Sequence, residues 1–146
     1  MRLVVDTSVL IGELLQAHGR ARLGADRLDL FLPERMWGEA QVALPRRIKA
    51  FARRRNLNPG IAGELTSQCL EAVEANIVVL DEAIYAALEE EARARSLRDP
   101  SDWPVVACAL ALSCGVWTND NDFLGTGVPT WTTDTLQQWL DRNVEG

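Results

Sequence analysis

Short apolar runs alternate along the chain with longer segments in which apolar residues recur every three or four positions. The runs predict β-strands, and the periodic segments predict amphipathic helices. The predicted strands are Arg2–Val5, Leu28–Leu32, Ile77–Leu80, Val116–Thr118 and, at an edge of the sheet, Pro129–Trp131. Strands that alternate with helices are typical of α/β proteins, so we expect a mostly parallel central sheet covered by helices on both faces.

Residues that begin or interrupt helices lie between the predicted strands. The predicted helices begin near Thr7, Glu34, Gly60, Glu82, Pro100 and Thr133. Thr7 and Asp81 are the expected capping residues of the first and fourth of these helices, the fourth extending to Arg95. Pro45 is expected to break or kink the second helix, because proline has no N–H group and its ring clashes with the preceding turn.

Two segments are expected to be the most deeply buried. Ile77–Leu80 contains four consecutive apolar residues and is the clearest candidate for a buried strand. The helix that begins around Asp99 and Pro100 and stops at Gly115 is apolar almost all round, so it must pack between other elements.

The length and composition predict a single domain over residues 1–146. A chain of 146 residues with 47% hydrophobic and 25% charged residues is typical of one soluble globular unit. No apolar stretch approaches the roughly 20 residues of a membrane helix, so we expect no membrane association. Asp6 interrupts the first apolar run too early for a signal peptide, and the three cysteines form no CxxC pair. A reduced, cytoplasmic protein is expected.

The single histidine restricts the chemistry that the chain can perform. His18 lies in a polar stretch near the expected end of the first helix. One histidine excludes histidine-rich metal centres and makes a serine or cysteine triad a poor explanation. Hydrolytic chemistry would therefore depend on carboxylates.

The net charge of −6 argues against bulk attraction of the whole protein to nucleic acid. The basic residues are nevertheless concentrated, because residues 46–55 contain six of the 15 lysines and arginines. This basic segment is consistent with contacts to an RNA backbone, and equally with a solvated helix face or a partner-binding surface.

Acidic residues occur at positions where a parallel sheet places ligands. Asp6 follows the first strand, and Asp120 follows Val116–Thr118, so both are expected at the carboxyl end of the sheet. Asp122 is two residues further on and is expected to face the same way as Asp120, with the intervening asparagines turned elsewhere. Asp102 lies at the start of the apolar helix, and Glu39 interrupts an otherwise apolar helical stretch.

Each acid also has a purely structural explanation. Asp6 could neighbour a helix cap in an unrelated α/β protein, and Asp99 with Asp102 has the spacing of a capping box. Asp81 and Asp99 are better explained as helix caps than as functional groups. Glu39 taken alone fits a partly exposed helix position. The functional interpretation depends on the acids occurring together.

Carboxylates that crowd together repel one another, and a bound cation relieves this repulsion. Hard oxygen ligands favour Mg²⁺ or Mn²⁺, which keep several waters and bind phosphate readily. A divalent metal at this cluster would also reconcile an acidic protein with an anionic substrate.

Three segments together resemble the PIN-domain family in order and spacing. They are residues 1–10, MRLVVDTSVL; residues 102–110, DWPVVACAL; and residues 117–123, WTNDNDF, with an acid on the second helix between the first two. The resemblance covers nearly the whole chain. It implies a Rossmann-like three-layer α/β/α sandwich with metal-dependent ribonuclease activity.

The resemblance also implies roles for individual residues. Asp6, Glu39, Asp102 and Asp120 match the acidic tetrad of the family, and Asp122 matches a frequent fifth acid. We expect Asp6, Asp102, Asp120 and Asp122 to hold the metal. The expected substrate contacts are Ser8, which matches a small polar residue beside the first aspartate, and Arg46, Arg47 and Arg53 of the basic segment.

Many small PIN domains are toxins of type II toxin–antitoxin pairs of the VapC kind. The resemblance therefore implies a toxin that cleaves RNA, forms a homodimer and is silenced by a small antitoxin protein. A stand-alone PIN nuclease in RNA processing, a nuclease for structured DNA and an inactive PIN scaffold that acts as a binding module are the alternatives. Intact acids at all four tetrad positions argue against the inactive scaffold.

Overall fold

A five-stranded parallel sheet forms the centre of the molecule. The structure, a computed structural model, describes residues 1–142. The strands are β1 (Arg2–Val5), β2 (Asp29–Pro33), β3 (Ile77–Leu80), β4 (Gly115–Trp117) and β5 (Thr130–Trp131). They lie in the order β3-β2-β1-β4-β5, and every pairing between them is parallel. The predicted parallel sheet is confirmed.

Seven helices connect the strands within the described residues, and an eighth follows β5. They are α1 (Thr7–Leu14), α2 (Ala17–Leu23), α3 (Glu34–Arg54), α4 (Pro59–Asn76), α5 (Glu82–Tyr85), α6 (Glu89–Arg95), α7 (Trp103–Leu112) and α8 (Thr133–Arg142). None of the helices in residues 1–142 combines the length and the hydrophobicity that crossing a bilayer requires.

The helices form two layers on opposite faces of the sheet. The connections from β1 through β2 to β3 move across the sheet in one direction, and the connection from β3 to β4 moves back. Because such crossovers are right-handed, α1 to α4 lie on one face and α5 to α7 on the other. Contacts agree, since α1 packs on α2 and α3, whereas α7 packs on α5 and α6. The α/β/α sandwich is confirmed.

The most buried elements are β1 and α7. Leu3, Val4 and Val5 of β1 are completely buried at the middle of the sheet. Residues 103–109 of α7 are all buried, and the helix packs against β1, β2 and β4. The expectation that an all-round apolar helix lies between other elements is confirmed.

The prediction that Ile77–Leu80 is a deeply buried strand was wrong. Val78 and Val79 of β3 are 54% and 37% exposed. The reason is the strand order, which places β3 at the edge of the sheet with β2 as its neighbour. Four consecutive apolar residues indicate a strand, but they do not reveal which position it takes in the sheet.

The expected break at Pro45 is also absent, because α3 continues from Glu34 to Arg54. Pro45 is exposed, so the carbonyl group of Gln41, which loses its helical partner, lies on the side of the helix that faces water. The buried side of α3 is formed by a residue in every turn, namely Met36, Ala40, Leu44, Ile48 and Ala52.

Several helix ends differ from their predicted positions. The segment 82–95 is divided into α5, a 3₁₀ turn over Ala86–Leu88 and α6, although Asp81 caps it as predicted by accepting a hydrogen bond from the N–H of Ala83. Asp6 rather than Thr7 occupies the cap position of α1, without a side-chain cap.

The ends of α1 and α7 also differ from their predicted positions. His18 belongs to a separate helix, α2, rather than to the end of α1. The helix α7 ends at Leu112, before Gly115, because Ser113 takes the left-handed conformation that terminates it.

A close contact between α1 and α2 provides a test of the fold. A Cβ atom on Gly19 would lie 2.2 Å from the backbone oxygen of Glu13, so Gly19→Ala forces the backbone to move. We expect a loss of about 1 to 3 kcal/mol in the free energy of unfolding, measured in urea. The matched control is Gly63→Ala in α4, where nothing lies within 4 Å, and we expect a gain of about 0.5 to 1 kcal/mol. Equal effects of the two substitutions would contradict this packing.

Candidate active site

Asp6 and Asp120 follow β1 and β4, the two neighbouring strands between which the strand order reverses. From β1 the chain proceeds to β2 and β3 on one side, and β4 and β5 lie on the other side. Open parallel sheets bind ligands beyond the carboxyl ends of the strands at such a switch point. Asp6 immediately follows β1, and Asp120 lies shortly after the end of β4. The fold therefore brings both acids to the position where ligands bind.

The pairing of β1 with β4 determines the position of Asp6. Val5 lies opposite Trp117, and the N–H of Asp6 donates to the carbonyl oxygen of Trp117 at 2.9 Å. The residue is only 6% exposed. A carboxylate at such a depth requires hydrogen-bond donors or a cation.

Two hydroxyl groups donate to the same carboxylate oxygen of Asp6. Thr118 Oγ1 lies 2.9 Å from Asp6 Oδ2, and Ser8 Oγ lies 3.0 Å from it. Thr118 Oγ1 also accepts a hydrogen bond of 3.0 Å from the N–H of Asp120. The buried hydroxyl of Thr118 thus connects Asp6 to Asp120 and fixes the orientation of the Asp6 carboxylate.

A third acid enters the site from the start of α7. Asp102 is the last residue of a 3₁₀ turn over Pro100–Asp102 that leads into α7. Asp99 caps this turn as predicted, since its Oδ1 accepts hydrogen bonds from the N–H and the hydroxyl of Ser101. The carboxylates of Asp99, Asp102 and Asp122 offer oxygens that lie within 4.8 Å of one another.

The loop after β4 separates its acids from its asparagines. Asp120 Oδ1 accepts a hydrogen bond of 2.9 Å from the N–H of Asp122, which closes a 3₁₀ turn over Asn121–Phe123. The side chain of Asn119 instead bonds to the hydroxyl and the N–H of Thr133 at the start of α8. As expected, Asn119 faces away from the acids.

The pKa values show that these acids form one electrostatic unit. The pKa of Asp102 is raised from 3.8 to about 7, first by burial and then by the charges of Asp99, Asp6, Asp120 and Asp122. Burial also raises the pKa of Asp6, against the hydrogen bonds from the two hydroxyls, and Asp120 raises it further. Five carboxyl groups therefore share one small region, and they cannot all be ionised at neutral pH without cost.

The charge of this acid cluster is poorly compensated by the protein itself. Among residues 1–142 the one ion pair to these acids joins Arg98 to Asp122 at 3.2 Å, and both groups are partly exposed. The hydroxyl of Thr7, next to Asp6 in the chain, is buried without a hydrogen-bond partner in the described part of the chain. A group of carboxylate oxygens with so little compensating charge fits a hard divalent cation with its waters.

The other residues predicted for the site are less closely connected to the acid cluster. Glu39 is exposed on α3, and it makes no hydrogen bond or ion pair within residues 1–142. Arg46, Arg47 and Arg53 are exposed on different sides of the same helix: Arg47 faces α1, and Arg53 faces the start of α4. The roles assigned to these four residues stay predictions.

Thr118 and Asp99 belong to the candidate site, although the sequence did not indicate a role for either of them there. Thr118 belongs to the segment that resembles the PIN family, but the sequence assigns it no role, and only the pairing of β1 with β4 brings it to Asp6. Asp99 was interpreted as a cap alone. Its position three residues before Asp102 is the signal that could have placed it in the cluster, because a 3₁₀ turn brings such residues close together.

The raised pKa of Asp102 predicts how the stability of the metal-free protein depends on pH. Folded Asp102 keeps its proton up to about pH 7, whereas the unfolded chain releases it near pH 4. The folded state therefore binds more protons between these values, and stability falls as the pH rises from 4 to 7. We expect the wild type to lose stability relative to Asp102→Asn across this interval, in urea titrations with EDTA. Curves that run parallel for the two proteins would contradict the shift.

Comparisons with known proteins agree with this geometry. The family model of the PIN domain matches residues 4–141. Among solved structures, the fold is similar to a chain in the crystal structure of FitAcB from Neisseria gonorrhoeae, with 23% identity and a TM-score of 0.57 over 90% of this chain and 96% of that one. No curated protein matches the sequence. The family match includes the second half of β1, the other four strands and every acid of the cluster, and the chain therefore belongs to the PIN domain family.

Proposed function

We propose that the protein is a metal-dependent endoribonuclease that hydrolyses phosphodiester bonds at the acid cluster of Asp6, Asp99, Asp102, Asp120 and Asp122. The observation that carries the proposal is the crowding of these carboxyls at the switch point, where burial and then the neighbouring charges raise the pKa of Asp102 to about 7. Repulsion between crowded carboxylates is unfavourable, and a bound cation offsets it. PIN domains are generally nucleases, which agrees with this chemistry.

The residues present suit Mg²⁺ or Mn²⁺. Asp6, Asp102, Asp120 and Asp122 would hold the cation, and Asp99 lies close enough to Asp102 and Asp122 to complete the set. When bound, the metal supplies charge stabilisation at a phosphoryl oxygen and lowers the pKa of a coordinated water.

The protein's own groups prepare the site for this chemistry. Thr118 and Ser8 hold the Asp6 carboxylate in one orientation. In the metal-free protein the pKa of Asp102 is about 7, so a cation would compete with this proton and its affinity would rise with pH. Glu39, exposed on α3, would orient the attacking water. Attack in line with the P–O3′ bond leaves a 5′-phosphate on the product.

The biological setting follows from the resemblance to the VapC kind of PIN domain. We infer a cytoplasmic toxin that acts as a homodimer and is silenced by a small antitoxin protein. RNA is the preferred substrate, because the helical insertions with which flap nucleases hold structured DNA are not found among the described elements. A role as a stand-alone nuclease in RNA processing requires the same chemistry and differs only in the partner.

Removing the acids of the switch point tests the proposed activity. We expect Asp6→Asn and Asp120→Asn each to reduce Mg²⁺-dependent cleavage of a mixed RNA pool by more than about 100-fold. Loss of a residue that only supports a metal ligand costs up to roughly that factor, and loss of a ligand itself should cost more. The matched control is Asp81→Asn, because Asp81 also follows a strand but caps α5 at the edge of the sheet. Cleavage by this control should equal that of the wild type.

The outcome of this experiment separates the alternatives. Full activity of Asp6→Asn or Asp120→Asn refutes the proposed site. An inactive wild type that also shows no Mg²⁺ binding by calorimetry supports the inactive scaffold. Cleavage of DNA in preference to RNA contradicts the proposed substrate.

Thr118 provides a second test, because it acts through Asp6. Thr118→Val keeps the shape of the side chain but removes the donor to Asp6 Oδ2 and the acceptor for the N–H of Asp120. We expect cleavage and Mg²⁺ affinity to fall by about 10- to 100-fold. Thr118→Ser keeps the hydroxyl and should restore both to within about threefold of the wild type. A purely structural role predicts reduced stability in both variants with unchanged Mg²⁺ affinity.

A further inference from the structure

The cations of the basic segment have no acidic partners. The five ion pairs found among residues 1–142 use Arg22, Arg35, Arg93, Arg95 and Arg98. None of them involves the six cations of the basic segment, which are Arg46, Arg47, Lys49, Arg53, Arg54 and Arg55. All six are exposed, in a protein that carries 21 acidic residues. Of the ten lysines and arginines without an ion pair in the described part of the chain, six thus lie within one ten-residue segment.

The local structure of α3 does not explain this arrangement. Lys49 and Arg53 lie one turn apart, and like charges at this spacing destabilise a helix. Favourable interaction with the helix dipole extends over the last turn only, which includes Arg53 and Arg54. Arg46 and Arg47 lie about two turns earlier, so the dipole does not account for them. An anionic ligand bound to this segment would account for the positions of these arginines.

Part of the basic segment forms one wall of a cleft between α3 and α1. Arg47 and Arg54 are seven residues apart and therefore share one side of α3. Arg55, with its guanidinium 4.9 Å from the centre of the Phe51 ring, continues this wall. The opposite wall is the end of α1, and the cleft encloses about 390 Å³. Its lining residues are Gly12, Leu15, Gln16, Arg47, Phe51, Arg54 and Arg55.

The cleft is connected to the acid cluster by α1. This helix begins directly after Asp6, and Gly12 and Gln16 at its other end line the cleft. With a rise of 1.5 Å per residue, Gly12 lies about 9 Å from Asp6 along the helix axis. A strand of nucleic acid that passes the acid cluster therefore needs only a short extension to reach the cleft.

We propose that the cleft between α1 and α3 binds the phosphodiester backbone of single-stranded RNA that extends from the acid cluster. Arg47 and Arg54 contact successive phosphates, and the Arg55 guanidinium, which lies over the Phe51 ring, offers a plane on which a base stacks. Gln16 supplies an amide for a sugar or a base edge. The proposal rests on the proposed function for the identity of the substrate.

The chemistry of the cleft favours RNA over an acidic segment of a partner protein. Protein interfaces are also enriched in arginine and aromatic residues, but their fully buried centre is otherwise formed mainly by apolar side chains. In this cleft three guanidinium groups and one amide accompany only two large apolar residues, Leu15 and Phe51. Unpaired arginines beside an aromatic ring are instead typical of surfaces that hold single-stranded nucleic acid.

Binding is measured in an Asp6→Asn background, so that the RNA is not cut. A labelled 12-nucleotide single-stranded RNA is titrated by fluorescence anisotropy at several KCl concentrations. We expect Arg47→Gln with Arg54→Gln to weaken binding at least about 10-fold at low salt and to reduce the slope of log K against log salt by about 1.4, since each phosphate contact contributes about 0.7. The control, Arg2→Gln with Arg142→Gln, changes the net charge equally but lies on β1 and α8, and should stay within about twofold.

Several outcomes overturn the proposal. Equal weakening by the two pairs of substitutions shows that the RNA responds only to overall charge. Unchanged binding in the cleft variant shows that the RNA lies elsewhere. A 12-residue glutamate peptide that binds the cleft while the RNA does not identifies a protein partner instead. Thermal melts of all variants confirm that they are folded, and Arg47→Lys should retain most of the binding.

The results that would refute the proposed function differ from those that would refute the cleft. RNA that is bound through the cleft but is never cut by the wild type in Mg²⁺ refutes the nuclease and leaves the cleft intact. RNA that the wild type cuts, and that the cleft variant binds and cuts equally well, refutes the cleft alone.

Discussion

The pairing of β1 with β4 is the constraint on which the candidate site depends. It aligns Val5 with Trp117, so the next residues along the two strands, Asp6 and Thr118, meet side by side. A slip of one residue would turn every side chain of the strand to the opposite face of the sheet. Because the apolar part of β1 is completely buried on both faces, a slip would carry the charged Arg2 or Asp6 into this part, and the cost opposes the slip. Burial of a strand therefore sets the geometry of a polar site at its end.

The acid cluster concentrates an unfavourable interaction in an otherwise well-packed molecule. Asp102 stands at the start of α7, the most apolar helix of the protein, and both burial and neighbouring charges oppose its ionisation. Such local conflicts are typical of functional sites, where stability is lower than the fold alone would allow. On the proposed function a divalent cation would remove the conflict, and its binding would couple the ionisation of Asp102 to folding.

The net charge of −6 is the sum over an acidic region and a basic region that lie in different parts of the molecule. Acids gather at the carboxyl ends of β1 and β4, whereas unpaired cations occupy the second half of α3. A metal at the acids and phosphates at the cations would each meet a complementary charge. On the proposed function, this separation would let an acidic protein act on an anionic polymer without an overall basic surface.

Local patterns in the sequence determined the strands, most helices, the caps at Asp81 and Asp99, and the order in which acids follow strands, because apolar periodicity and capping are short-range properties. Only the tertiary structure decided that Pro45 stays within a helix, that Val78 and Val79 are exposed, and that Thr118 and Asp99 join the acid cluster. These facts depend on strand order and on which side of an element meets water. The contact of Thr118 with Asp6 and the approach of Asp99 to Asp122 join residues far apart in the chain, and no local pattern encodes them.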